Sequence, residues 1–268
     1  MSDILQKLSR PGPERGIEVW ELFHANSRVT SAGPRLDLAA EPARLGALHE
    51  TLPHELWAET PLPPGVEALR GISSLSVGEA VLGRTSPRAG LTPTSTSMDT
   101  LSGLLFAAAG VTHDETAAGY PRPFRATPSG GGLYPLEVFA LVNRVDGVAP
   151  GLYHYDPTLH VLRGNPDGQA AERLANTFVQ PDYVQNAAIV FLLTALFERA
   201  TVKYGARGYR FTLLEAGHMA QNINLAAVGA GLAAQNLGGF LDDRLDREMD
   251  FDGLLQSTVY CVAVGAAA

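Results

Sequence analysis

An α+β fold, a mixed sheet flanked by helices, is predicted on three observations. Strand-like and helix-like runs are mixed without the regular βαβ alternation that a doubly wound parallel sheet requires. One segment, about 209–234, is long, apolar at helical spacing and rich in small residues, which predicts a buried central helix that other elements approach closely. Charged residues make up only 18% of the chain against 46% hydrophobic, so a large subunit contact is expected to cover part of the surface.

In chain order, residues 1–70 are rich in Pro, Glu and Leu with little sustained periodicity. They predict an irregular N-terminal segment with short helices, a docking or dimer-wrapping region ahead of one domain over 71–268. Residues 75–82 predict a short amphipathic helix starting near Ser76. Ser97 fits the N-cap of a helix through 101–109, which Gly110 can close. Strands are expected at 136–143, 151–155 and 159–163, the last two forming a hairpin around Asp156-Pro157-Thr158. The fully apolar run 187–196 predicts a central strand. A final strand, 259–264, carries the single cysteine, Cys261, as a small buried hydrophobe.

Composition excludes several function classes. A net charge of −8 and a pI near 5.3 argue against nucleic acid or an anionic membrane as partner. One cysteine forms no internal disulfide, and the seven histidines stand at none of the usual metal spacings, so no metal site is expected. The first residues lack the layout of a signal peptide and no run matches a membrane span, which predicts a cytoplasmic protein. Gly229-Ala230-Gly231-Leu232-Ala233-Ala234 matches a dinucleotide fingerprint superficially, but that motif needs a strand before it and a helix after it. Here it follows a helix and is rejected.

Four segments could carry chemistry. Arg125-Ala-Thr-Pro128-Ser129-Gly130-Gly131-Gly132-Leu-Tyr134-Pro135 precedes a strand; glycine backbone approaches a flat or charged ligand closely, and a turn of N–H groups holds an anion. A plain glycine turn is the equal alternative. Arg84-Thr85-Ser86-Pro87-Arg88 places two arginines around hydroxyls, suited to a phosphate dianion or to an exposed basic loop. Lys203-Tyr204 offers proton-transfer chemistry, provided the backbone there departs from a strand. Gln221-Asn222 puts amides on an apolar helix, for a ligand or for buried backbone.

Taken in this order, the segments resemble the nitroreductase-like flavoprotein superfamily over about residues 72–265. The nearer branch is the SagB-type dehydrogenases, the azoline oxidases of thiazole/oxazole-modified peptide biosynthesis. Arg84-x-Ser86-x-Arg88 looks like the family's flavin phosphate turn. Pro128-Ser129-Gly130-Gly131 looks like its flavin loop, and Lys203-Tyr204 with Gln221 like its catalytic segment. Leu237-Gly238-Gly239-Phe240 falls where a C-terminal flavin contact lies. The resemblance implies a homodimer with FMN at each interface, residues 71–268 forming the FMN-binding domain. It implies Lys203 and Tyr204 as catalytic residues, and Arg84, Ser86, Arg88, Pro128, Ser129, Gly130, Gly131, Gln221, Gly238 and Gly239 as cofactor contacts. The implied reaction oxidises thiazolines or oxazolines of a peptide to thiazoles or oxazoles, with reduced FMN returned by oxygen and a cyclodehydratase as partner. The alternatives are an NAD(P)H-dependent nitro or quinone reductase, and a non-catalytic flavin-binding scaffold of a synthetase complex.

Overall fold

The computed structural model describes residues 19–28, 57–72, 74–120 and 122–268. Most of the expected N-terminal segment lies outside these residues. The helices are α1 (Val19–Asn26), α2 (Gly65–Ile72), α3 (Val77–Gly83), α4 (Met98–Ala109), α5 (Ala170–Ala175), α6 (Pro181–Asn186), α7 (Glu198–Tyr204), α8 (Ala206–Gly229) and α9 (Asp242–Glu248). The strands are β1 (Glu59–Pro61), β2 (Leu91–Thr92), β3 (Val111–His113), β4 (Phe124–Arg125), β5 (Leu136–Val142), β6 (Gly151–Asp156), β7 (Val161–Pro166), β8 (Ile189–Leu196), β9 (Ala233–Leu237) and β10 (Gln256–Ala267).

The main sheet runs β1-β7-β6-β5-β8-β10-β2, with β9 also paired to β10; β3 and β4 form a separate ribbon. Its ladders are antiparallel, and a lone parallel bridge joins Thr96 to Val145 beside them. Side chains alternate across a strand, so β5 sends Val138 and Ala140 to one face and Phe139 and Leu141 to the other. The first face packs with Leu101, Leu104 and Leu105 of α4 and Met219, Ala220 and Ile223 of α8. The second packs with Leu174 of α5, Val184 of α6, Leu245 of α9 and Cys261 of β10. Covered on both faces, the central strands read as apolar runs interrupted only by Glu137 in β5 and Thr194 in β8. The expected α+β class with flanking helices is the observed one.

Local signals set the helix ends. Ser76 and Glu79 form a capping box at α3, with Glu79 N–H donating to Ser76 Oγ at 3.2 Å and Ser76 N–H to Glu79 Oε2 at 2.7 Å. Ser97 Oγ accepts from Thr100 N–H at 3.1 Å at the start of α4, and the Gly110 N–H donates to Phe106 C=O at 2.8 Å at its end. The hairpin turn is held by Asp156 Oδ1, which accepts from Thr158 and Leu159 N–H at 2.9 and 3.1 Å.

Three expectations need correction. The central helix does not reach 234: Ala230 caps it, Gly231 turns at φ 70°, and 233–237 becomes β9 along β10. Pairing with an open strand outweighs the helical propensity of the alanines. Lys203-Tyr204 sits in the last turn of α7 instead of an irregular link, and Gly205 at φ 53° makes the corner into α8. The second hairpin strand starts at Val161, because His160 takes a left-handed φ of 54°.

Gly208 lets α8 approach α7. A Cβ there would stand 2.6 Å from the carbonyl carbon of Ala200 and 2.7 Å from its oxygen. Backbone cannot yield as a side-chain end can. Gly208→Ala is expected to destabilise the fold by about 1–3 kcal/mol, read as a lower urea midpoint; an unchanged midpoint would show α7 free to move off α8.

Candidate functional site

The site is built around the glycine loop that links β4 to β5. Thr127 Oγ1 donates to Ala108 C=O at 2.6 Å, and Asn222 Nδ2 donates to Ala107 C=O and Thr127 Oγ1 at 3.1 and 3.2 Å. These bonds pin the loop's entry to α4 and α8. At its exit Tyr134, at φ 46°, donates its N–H to Ser129 Oγ and accepts the Arg125 N–H at its hydroxyl, both at 2.9 Å. The Arg125 guanidinium lies 4.8 Å from the Tyr134 ring centre. Arg122 donates to the carbonyls of Gly132 and Leu133 at 3.3 and 3.0 Å.

Lys203 and Tyr204 stand over this loop. Gly131, at φ 68°, has no room for a side chain: a Cβ would collide with the Tyr204 hydroxyl and come within 3.2 Å of Lys203 Nζ. At Gly130 a Cβ would lie 3.3 Å from the Phe211 ring, which meets Tyr204 edge-on at 5.0 Å. The glycines are thus required by close approach as well as by backbone angle.

Beneath the loop lies a charge network that the sequence motifs did not include. Glu137 of β5 is buried and pairs with Arg199 of α7, while His154 Nε2 lies 2.8 Å from its other oxygen. Burial opposes the Glu137 charge, but Arg199, His154 and Arg125 more than offset it and hold its pKa well below the carboxylate range. Arg199 also donates to Tyr134 C=O at 3.3 Å. Glu215 of α8 is buried as well; desolvation pushes its pKa up to about 7, against the nearby Ser129 hydroxyl and the charges of Arg125 and Arg199. Arg125 and Arg199 therefore face the firmly ionised Glu137 and the buried Glu215, and Arg122 adds a third guanidinium on the loop carbonyls. The floor is net positive. Its one sequence signal was Glu137, a lone charge within an apolar strand.

The other predicted residues divide. Gly238 lines a hollow of about 460 Å³ with Phe197, Tyr209, Leu213, Phe240 and Thr258. Gly239 spends its carbonyl on Val179 N–H at 2.9 Å. Pro128 and Gln221 are exposed, and Asn222 is structural. Arg84, Ser86 and Arg88 are exposed around a buried Pro87, whose carbonyl accepts from Tyr183 Oη at 2.7 Å. That turn follows Gly83, which abuts Val228, whereas the glycine loop abuts Phe211. The two contacts are about 25 Å apart along α8 at 1.5 Å per residue. One chain brings the glycine loop to Lys203-Tyr204 and does not bring the arginine turn to either.

Among the described residues, no helix is long and apolar enough to cross a membrane. Residues 81–266 match the family model described as the nitroreductase family. A nitroreductase-family protein of Methanocaldococcus jannaschii is 38% identical over 145 residues, 54% of this chain and 70% of that one. The microcin B17-processing protein McbC of Escherichia coli is 34% identical over 143 residues, 48% of this chain and 49% of the relative, so the match spans only half of McbC. Among solved structures, a chain of the E. coli microcin synthetase McbBCD complex with truncated pro-MccB17 bound has a TM-score of 0.56 at 25% identity, covering 91% of this chain and 86% of its own. A nitroreductase-like protein of Desulfovibrio desulfuricans in complex with FMN has a TM-score of 0.51 at 18% identity, covering 73% of this chain and 88% of its own.

Folding lowers the Glu137 pKa, so its contribution to stability is complete above the ordinary carboxylate range and is lost as pH falls through the folded value. Glu137→Gln is expected to cost about 3–5 kcal/mol at neutral pH, with the gap to wild type narrowing below about pH 4. Urea melts across pH check this; a gap that stays constant would show that the charge of Glu137 is not what stabilises the loop.

Proposed function

We propose that this chain, which belongs to the nitroreductase family, is an FMN-dependent oxidoreductase that converts thiazoline or oxazoline rings of a peptide to thiazoles or oxazoles. The observation that carries this reading is the pair Lys203 and Tyr204 poised over Gly131. Simple hydride relay needs no such pair of proton-handling groups beside the loop. Likeness to a microcin-processing protein supports a peptide substrate.

The residues present fit the cofactor. Gly132, at φ 63°, has nothing within 4 Å of where a Cβ would stand, the loop's floor carries surplus guanidinium charge, and Arg84 and Arg88 flank Ser86 for a phosphate. When bound, FMN supplies the two-electron acceptor. The chain's own task is the proton: Tyr204 Oη or Lys203 Nζ takes it from the ring carbon beside the peptide carbonyl, and the other group holds that base in place. The Arg122 and Arg199 bonds to loop carbonyls keep the surface rigid while this happens.

On this reading a second copy bridges the separation along α8. A dimer formed through α8 would bring one chain's arginine turn to the other's glycine loop, and apolar side chains are available for it. Leu82 is 86% exposed and Leu214 60%, with Val77, Val81 and Leu213 beside them. We further assign residues 71–268 to the FMN-binding domain, residues 1–70 to docking a cyclodehydratase or leader peptide, and the enzyme to the cytoplasm.

The purified protein is expected to show an oxidised-flavin spectrum and release a chromophore with the mass of FMN. Tyr204→Phe and Lys203→Ala should each lower azoline-peptide turnover by about 10²–10⁴-fold while leaving flavin content intact. A colourless protein that cannot be reconstituted would sink the flavin reading. Rapid bleaching by NADPH without azoline turnover would favour the nitro or quinone reductase, and intact pathway output in both variants would favour a scaffold. Leu214→Glu should yield monomers by light scattering that have lost their flavin; flavin-loaded monomers would refute the shared site.

A further inference from the structure

Tyr183 of α6 has no part in the chemistry above, yet its hydroxyl is spent on the arginine turn. Pro87 fixes its own φ, carries no N–H and restricts Ser86 before it to extended backbone. Pro87 is buried while Arg84, Ser86 and Arg88 around it are exposed, so the apex of the turn faces inward. A buried carbonyl needs donors. The Pro87 carbonyl has two, Tyr183 Oη at 2.7 Å and the Gly90 N–H at 3.1 Å. Gly90, at φ 100°, closes the turn, and its carbonyl accepts from the Ala268 N–H at 3.1 Å, beside the end of β10. The Tyr183 ring meanwhile packs against the core that holds Val184 and Leu245. One side chain thus ties the turn to the second face of the sheet.

The outward groups are uncommitted. Among the described residues, the Arg84 and Arg88 guanidiniums and the Ser86 hydroxyl make no hydrogen bond or ion pair. With the backbone between them already fixed, only their own rotamers remain to be ordered when they close on an anion. We propose that Tyr183 is a positioning residue for a phosphate subsite at residues 84–88, holding the turn ready so that it favours a flavin bearing a phosphate over one without. The inference rests on the flavin reading and deepens it. Two guanidiniums and a hydroxyl match the oxygens of a phosphate dianion. Tyr183 acts on them through the backbone alone, because its proton goes to Pro87. Without that proton Pro87 keeps the Gly90 donor, so the turn persists but loosens. On the flavin reading the ring system rests on the glycine loop, whose hydrogen bonds do not include Tyr183.

The test compares the dissociation constants of FMN and of riboflavin, which lacks the phosphate, measured by flavin fluorescence on the full-length protein. Tyr183→Phe keeps the ring and removes the donor. It is expected to weaken FMN about three- to tenfold and to change riboflavin by less than about twofold. Arg88→Gln, a change in the subsite itself, should weaken FMN at least as much and again spare riboflavin. Tyr183→Leu is the second variant should Tyr183→Phe fail to fold. Equal weakening of both flavins, unchanged FMN affinity, or failure of both Tyr183 variants to fold would make Tyr183 an ordinary core residue and overturn the proposal. A wild type that binds the two flavins equally would overturn it by removing the phosphate subsite. No saturable binding of either flavin by wild type would instead remove the flavin reading beneath it.

Discussion

The pairing of Arg199 with Glu137 is the interaction on which the site depends. Arg199 reaches from α7 into the sheet, joins a carboxylate on β5 and bonds the carbonyl of Tyr134 at the loop's exit. Three elements are tied by one guanidinium. Such a group cannot be removed alone, because burial leaves its partner's charge uncompensated. Arg199 and Lys203 are also one helical turn apart, and residues at i and i+4 share a face. The turn that anchors α7 to the loop thus delivers Lys203 and Tyr204 over it. Anchor and chemistry are set by the same helix.

The fold was legible wherever local chemistry and burial agreed. Ser76, Ser97 and Gly110 mark helix ends by side-chain or backbone bonds that need no distant partner, and the structure keeps them. The runs 136–142 and 189–196 announced two-sided burial through apolarity interrupted only by Glu137 and Thr194. What failed was decided by distant pairing. Residues 233–237 have the composition of a helix end, yet β10 offers an open ladder and takes them as a strand. Gly231 was the available sign of that break.

The site was legible in part for the same reason. Glycine and the Lys-Tyr pair lie in short segments that advertise unusual backbone or chemistry. Their meeting, though, depends on Gly205 turning α7 back upon α8 and on Gly208 admitting it. The buried network left little trace: Glu137 sits within an apolar run, and Glu215 looks like one more helix carboxylate until both are seen facing Arg125 and Arg199. Spacing cannot reveal a cluster drawn from four elements.

The network also sets how the two carboxylates divide their work. Glu137 touches a guanidinium and an imidazole, so its charge is matched and stays fixed across ordinary pH. Glu215 makes no ion pair and keeps its Oε1 buried without a hydrogen-bond partner, so desolvation pushes its pKa up to about 7. Fixed charge suits the member that holds strands and helices together. That difference follows from partners, since both groups are buried and share the same arginines. The loop is therefore held from the sheet side by an ion pair, with Glu215 buried beside it on the helix side.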